Sequence, residues 1–238
     1  MPANKHLWVV ILAAGEGLRV KHLTRDRQGT PAPKQYSSID GRSTLIEITL
    51  ARAKKIAPLE RIVAVVAEHH RRWWQSELAE LDVRNLIVQP ENRGTAAGIL
   101  LPLLRITDRD PQARLVILPS DHAVASEETL HDAIVDAAAC APHADSEVVL
   151  LGVQPHGPET GYGWVVPRLE SRGKLRAVAR FREKPDAASA AALHESGGLL
   201  NSMILISGAG CLRALFEREM PPLWRSFHPA PDDNRKDI

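Results

Sequence analysis

Four short apolar runs, each followed by a stretch of helical periodicity, constrain this chain more than any other feature. They lie at Trp8–Leu12, Arg61–Ala67, Asn85–Val88 and Leu115–Leu118. Runs this short and this uniformly apolar, rich in valine and isoleucine, read as strands buried on both faces, the environment of a parallel sheet. Between them, Ile46, Leu50, Ala53 and Ala57 share one helical face that Pro58 ends. Glu68–Glu80 is a polar helix, Thr95 can cap a helix through Ile99, Leu100 and Leu103 with a kink at Pro102, and Ser126 opens one reaching about Cys140. Glu147–Val153 is a further strand. Strand-helix alternation of this kind predicts an α/β fold whose sheet is covered by helices and binds ligands outside the carboxyl ends of its strands.

The pattern changes beyond Val153. Gly161–Val166 and Leu175–Arg182 read as strands with no helix between them. A helix over Asp186–Glu195, a strand over Leu199–Ile206 and a helix from about Gly210 to Arg218 follow. The stretch 221–238 is proline-rich and charged and reads as a disordered tail. The reading is therefore one domain over 1–220, in two halves at about 1–155 and 156–220, with no repeats.

Composition narrows the functional classes. A net charge of +1 over 238 residues removes any global attraction to nucleic acid or to a membrane surface. The run His69-His70-Arg71-Arg72-Trp73-Trp74 mixes cations with aromatics, but in a neutral chain it reads as a solvated helix face with the two tryptophans tucked beneath it. Cys140 and Cys211 have no metal-ligand spacing and suit a reducing, cytoplasmic setting. The polar N-terminus and the short apolar run after it predict neither a signal peptide nor a membrane span. The histidines show no pair at zinc spacing, which argues against zinc.

The loops after the strands carry the chemistry. The first run breaks into Ala13-Ala14-Gly15-Glu16-Gly17-Leu18-Arg19. Glycines there let backbone amides face an anion, and an arginine adds a planar fork of donors. The loop matches neither a P-loop nor the dinucleotide fingerprint, so by itself it fits a phosphate seat and a plain strand-exit turn equally. Arg19, Gln89, Gly94 and Asp121 all follow strand ends and so can share one rim. Asp121 is the candidate Mg2+ ligand, since a carboxylate at that rim suits a hard cation; capping of the next turn is the competing reading. His122 reads as a packing or supporting residue.

In order along the chain, Leu12-Ala13-Ala14-Gly15-Glu16-Gly17-Leu18-Arg19, Pro33-Lys34-Gln35, Pro90-Glu91-Asn92-Arg93-Gly94-Thr95-Ala96 and Leu118-Pro119-Ser120-Asp121-His122 resemble motifs of the sugar-1-phosphate nucleotidyltransferases. Gly161-Tyr162-Gly163-Trp164-Val165, Phe181-Arg182-Glu183-Lys184-Pro185 and Leu200-Asn201-Ser202 extend the resemblance over roughly residues 7 to 218. The Pro-Lys-Gln, Arg-x-Thr-Ala and Ser-Asp-His elements are most similar to the mannose-1-phosphate guanylyltransferase branch.

The resemblance implies a Rossmann-like three-layer α/β/α nucleotidyltransferase fold with a mostly parallel mixed sheet, here without the family's C-terminal segment. It implies Mg2+-dependent transfer of a nucleotidyl group from an NTP, GTP favoured, to a sugar-1-phosphate, mannose-1-phosphate favoured, releasing pyrophosphate. Arg19, Lys34 and Asp121 would be catalytic, with Asp121 holding Mg2+. Ala13, Ala14, Gly15, Gly17, Gln89, Pro90, Gly94 and Thr95 would bind the nucleotide. Gly161, Glu183, Lys184 and Asn201 would bind the sugar phosphate. The partners implied are these two substrates, with neither nucleic acid nor membrane, and a homo-oligomer is compatible with the chain.

Five departures qualify this expectation. Leu18 stands where Thr or Ser is usual, Gly94 where the guanylyl branch has Asn, and Leu200 where Trp is usual. Met203 replaces a glycine after Asn-Ser. The family's second metal aspartate, in a Trp-x-Asp-x-Gly segment, has no match, and Asp232 and Asp233 do not supply one. A catalytically weak or inactive nucleotide-binding homologue is the alternative expectation.

Overall fold

The computed structural model describes residues 5–17, 22–38, 41–140 and 147–227. The strands are β1 (Leu7–Ala13), β2 (Ile62–Ala67), β3 (Leu86–Gln89), β4 (Arg114–Pro119), β5 (Val148–Val153), β6 (Trp164–Arg172), β7 (Leu175–Arg182) and β8 (Leu199–Gly208). The helices are α1 (Leu45–Ile56), α2 (Arg71–Glu77), α3 (Gly94–Arg109), α4 (Glu127–Cys140), α5 (Ala187–Glu195), α6 (Ala209–Glu219) and α7 (Pro221–Phe227).

One eight-stranded sheet organises them in the order β3-β2-β1-β4-β8-β6-β7, with β5 also on β8. The first four strands are mutually parallel, with β1 between β2 and β4. β8 runs antiparallel to β4, Ile117 facing Leu205, and to β5, Leu150 facing the same Leu205. β4 and β5 thus flank opposite edges of β8. β6 takes the edge near its start, pairing Trp164 with Leu200, and folds back on β7 as a hairpin. The two expected halves therefore share one sheet, because a strand of the second half is inserted beside a strand of the first.

Strand periodicity explains the three layers. Val9, Ile11 and Ala13 of β1 pack on one face with Ile46, Leu50 and Ala53 of α1, Trp74 of α2 and Ile134 of α4. Trp8 and Val10 pack on the other with Leu100, Leu103 and Ile106 of α3 and Leu212 and Phe216 of α6. Successive side chains of a strand point to opposite faces, so an unbroken apolar run feeds both helix layers.

Pro58 follows the end of α1 as expected, but Thr95 does not cap α3: it lies inside that helix, whose N-cap is Arg93 with no side-chain cap hydrogen bond. Thr44 caps α1 in a reciprocal capping box with Glu47. Pro102 lies inside α3 without ending it. Trp74 is buried and donates its indole N–H to the Ala67 carbonyl, while Trp73 stacks on Tyr36 with ring centroids 5.7 Å apart. The polar helix after β2 is shorter than its periodicity predicts: a 3-10 turn covers Glu68–His70 and α2 ends at Glu77.

The stretch read as a disordered tail needs correction. Pro221–Phe227 is helical, and Trp224 is buried beside α6. Proline is tolerated in a first helical turn, whose N–H groups have no intrahelical partner, and one buried indole anchors the segment. Residues 228–238, with Asp232 and Asp233, lie outside the described residues. Among the described residues no helix is long and apolar enough to cross a membrane.

Candidate active site

The four parallel strands deliver their carboxyl ends to one rim, and two loops at that rim are tied together through Gln35. Lys34–Tyr36 forms a 3-10 turn in which Gln35 and Tyr36 are buried. The Gln35 amide donates to the carbonyls of Ala13, at 2.9 Å, and Gly15, at 2.8 Å. Ala13 is the last residue of β1 and Gly15 lies just beyond it, and a hydrogen bond of this kind contributes about 1 kcal/mol net. Gly17 is left-handed, with φ of +59°, and a Cβ there would come within 3.1 Å of the Lys34 backbone nitrogen. Only glycine lets the two segments approach this closely. Arg19 and Leu18 lie outside the described residues.

This packing delivers Lys34 to the end of β4, where its Nζ donates to Asp121 Oδ2 at 3.2 Å. Both side chains remain about two-fifths exposed, 39% and 41%. An exposed pair of this kind contributes little to stability, so it is a poor structural device and a plausible chemical one. Ser120 locks the other side, its Oγ donating to the Leu12 carbonyl at 2.6 Å. His122 Nε2 lies 3.7 Å from Asp121 Oδ1. Burial holds the His122 imidazole below its ordinary value, opposed by the Asp121 carboxylate.

Behind the loop sits a residue that sequence reading passed over. Arg52, on α1, is 2% exposed and clamps Glu127, Nε to Oε2 at 2.8 Å and Nη2 to Oε1 at 2.6 Å. Its Nη2 also donates to the His122 carbonyl at 3.3 Å. The guanidinium fork thus ties α1, the first turn of α4 and the Asp121–His122 loop together. Nothing in the sequence marks Arg52, which has the appearance of an ordinary helix-surface cation.

On the other side of the β1 loop lies a cleft of about 130 Å3 lined by Leu12, Ala14, Gly15, Gln89, Asn92 and Thr95, with Val65, Gly94 and Gly98. Four of the sequence-predicted nucleotide residues outside the first loop were Gln89, Pro90, Gly94 and Thr95. Three of them line it, and Pro90 is exposed beyond it. Asn92 and Gly98 were not singled out. Asn92 Oδ1 accepts from the Gly94 N–H at 2.8 Å, which holds the turn into α3. Gly94 has φ of +81°, and open space surrounds the position its Cβ would take. Left-handed backbone favours glycine first and asparagine next. The exchange of Asn for Gly at this position is thus compatible with the backbone alone.

The remaining predicted residues gather at the start of β8. Because β8 opposes β4, its first residues emerge at the same rim as Asp121. The Asn201 N–H donates to the Gly163 carbonyl at 2.7 Å, and the Lys184 N–H to the Tyr162 carbonyl at 3.2 Å. Lys184 Nζ pairs with Glu183 Oε1 at 2.9 Å. A Cβ on Gly163 would meet Glu183 Oε2 at 2.7 Å and Phe181 Cζ at 2.8 Å, the ends of two side chains that would have to shift, while Gly161 is open on all sides. Lys184 and Met203 have positive φ, 40° and 60°. Backbone of this kind is costly for residues with a Cβ and tends to concentrate at working sites. Asn201 Oδ1 accepts from the Met203 N–H at 3.1 Å and steadies that conformation.

Comparison with known proteins agrees with this geometry. The model of the family described as "Nucleotidyl transferase" matches residues 8–212. A mannose-1-phosphate guanylyltransferase from Sinorhizobium fredii is 31% identical over 224 residues, 92% of this chain and 43% of the relative. Mannose-1-phosphate guanylyltransferase ManC of Salmonella typhimurium is 34% identical over 217 residues, 86% of this chain and 43% of the relative. The chain therefore spans less than half the length of these curated relatives. A Thermus thermophilus structure titled mannose-1-phosphate geranyltransferase superposes with a TM-score of 0.82 at 26% identity, covering 95% of this chain and 65% of that one. With the family model matched over residues 8–212 and relatives above 30% identical over most of the chain, the chain belongs to the nucleotidyl transferase family.

Proposed function

We propose that this chain carries out, or carries the active-site half of, nucleotidyl transfer from an NTP to a sugar-1-phosphate, with GTP and mannose-1-phosphate as favoured substrates. The observation that carries the reading is the exposed Lys34–Asp121 pair at the rim, between the cleft and the Gly163–Glu183–Asn201 cluster. The similarity to relatives named mannose-1-phosphate guanylyltransferase supports the choice of substrates.

In this reading a phosphate oxygen of the sugar-1-phosphate attacks the α-phosphorus of the NTP. A new P–O bond forms, the bond from the α-phosphorus to the bridging oxygen breaks, and pyrophosphate leaves. The protein's task is alignment and neutralisation of charge. The amides of Ala14 to Gly17, with Arg19, hold the triphosphate, and Gln89, Gly94 and Thr95 contact the nucleoside in the cleft. Lys34 neutralises charge at the reacting phosphate. Glu183 accepts from sugar hydroxyls, Lys184 grips the sugar's phosphate and Asn201 bonds to the ring.

Asp121 suits Mg2+: it is a hard carboxylate donor at the rim, one oxygen engaged by Lys34 and the other turned toward solvent and His122. When bound, the ion would supply Lewis-acid neutralisation of phosphate oxygens.

The test is pyrophosphate release by the purified protein with Mg2+, offering mannose-1-phosphate or glucose-1-phosphate against GTP, dTTP, UTP, ATP and CTP. Turnover with one pair supports the reading and names the substrates. Nucleotide binding with no turnover for any pair would favour a binding homologue instead.

A further inference from the structure

The neighbouring parallel strands β1 and β2 end level with each other, Ala13 facing Val66. Three residues beyond each partner stand Glu16 and His69, with His70 next in the chain. Glu16 Oε1 lies 2.8 Å from His69 Nε2, and Glu16 Oε2 lies 3.7 Å from His70 Nε2. One ligand atom from each residue falls within 4.8 Å of the others. The side chains of this constellation are separate from Asp121 and from the side chains assigned to either substrate; Glu16 gives the phosphate loop only its backbone amide.

We propose that Glu16, His69 and His70 form a binding site for a divalent first-row transition ion of the Zn2+ class. Two imidazoles and one carboxylate are the donor set of three-ligand zinc sites, in which the fourth position is left to water. Mg2+, which prefers oxygen ligands throughout, is a poor match.

Geometry and support agree with an ion. Bonds of about 2.0–2.1 Å in a tetrahedron separate ligand atoms by roughly 3.3 Å. The ligand atoms lie within 4.8 Å of one another, with 2.8 and 3.7 Å from the two Glu16 oxygens to His69 and His70, so side-chain adjustment without backbone rearrangement closes the site. His70 is 3% exposed, and its ring meets Tyr36 and Trp73 edge-on, with centroids 5.6 and 5.8 Å away. Aromatic walls restrict the orientation of that imidazole before any ion arrives. His69 is half-exposed, 49% for its side chain, and leaves an entry path from solvent. Chain spacing concealed the site because its carboxylate comes from a loop more than fifty residues before the histidines.

The test uses the full-length chain without an affinity tag, stripped of metal by dialysis against a chelator. Zn2+ is titrated in competition with a chromophoric chelator, and Co2+ is substituted to read its visible absorption. The expected result is one tightly held Zn2+ per chain and the intense d–d bands of Co2+ at low coordination number. His69→Gln and Glu16→Gln should each weaken Zn2+ binding by about tenfold or more, since loss even of a group supporting a ligand costs that much. Both positions are partly exposed, so the variants should fold. Asp121→Asn should leave Zn2+ affinity unchanged. No Zn2+ held against the chelator, wild-type affinity in both ligand variants, or a loss in Asp121→Asn equal to theirs would each overturn the assignment.

Discussion

Lys34 Nζ donates to Asp121 Oδ2 at 3.2 Å across 87 residues of chain, joining the loop after β1 to the loop after β4. Each group is too exposed for the pair to matter to folding. Lys34→Met should therefore leave thermal stability within about 1 kcal/mol of wild type. It should lower kcat for nucleotidyl transfer by about a hundredfold, the usual cost of losing one charge-stabilising donor. Parallel thermal melts and steady-state rates check both. A large stability loss with unchanged kcat would make Lys34 structural.

Arg52 acts on the same loop from behind. Arg52→Lys keeps the charge but cannot hold both oxygens of Glu127 and the His122 carbonyl at once. The expected result is a stability loss of about 2 kcal/mol from weakened charge-assisted hydrogen bonds. A second effect marks a positioning role: kcat should fall and the Mg2+ concentration needed for half-maximal rate should rise, while KM for the NTP holds. A purely structural Arg52 would change the melt and leave the Mg2+ dependence alone.

Met203 holds a left-handed conformation, φ of 60°, and its side chain is partly exposed. Non-glycine residues pay roughly 1–2 kcal/mol there, against about 0.5–1 kcal/mol of extra unfolded-state entropy for glycine. Met203→Gly should thus be neutral or stabilising by up to about 1 kcal/mol. Met203→Val, stiff at the same backbone angle, should destabilise. Denaturant unfolding of the pair reads the difference. Equal destabilisation by both would mean that side-chain contacts outweigh the backbone there.

Much of the fold was legible because its signals are local. The first five strands and most of the helices between them follow from apolar runs and from Pro58, and the rim follows from the parallel order of the first four. What was hidden depends on distance in sequence. The insertion of Leu199–Gly208 between β4 and β5 leaves no periodicity of its own. Trp224 could not be known to find a buried place beside α6. At the site, the glycines and Asp121 stood out by residue type. Arg52, Asn92 and the meeting of Glu16 with His69 did not, since each acquires its meaning only from a partner on another element. The left-handed backbone at Met203 suits the glycine that the resemblance implies there, and nothing in the structure explains the methionine.

Glu77 supplies a pH signature unrelated to chemistry. Burial pushes its carboxyl up from 4.5 to about 7, and the Glu47 charge adds to this against the opposing hydrogen bond from Thr44. Since the native state holds the proton more tightly, stability from this group is present in full below pH 4.5 and is lost as pH rises to about 7. Glu77→Gln keeps an amide oxygen to accept from Thr44 Oγ1, now 2.5 Å from Glu77. Above pH 7 it should be more stable than wild type by an amount on the order of 1 kcal/mol, discounted for partial exposure, with little difference near pH 4.5. Melts across that range test it; a gain independent of pH would point to packing instead.

The most direct measurement is chromatographic detection of nucleotide-sugar formed from GTP and mannose-1-phosphate, with pyrophosphate quantified in the same samples. It would be made with and without Mg2+, for wild type and Asp121→Asn. The account predicts equal amounts of the two products from wild type with Mg2+. It predicts a loss of about a hundredfold or more in Asp121→Asn, with its melt unchanged. Equal product from wild type and Asp121→Asn, or product formed at full rate without Mg2+, would contradict it.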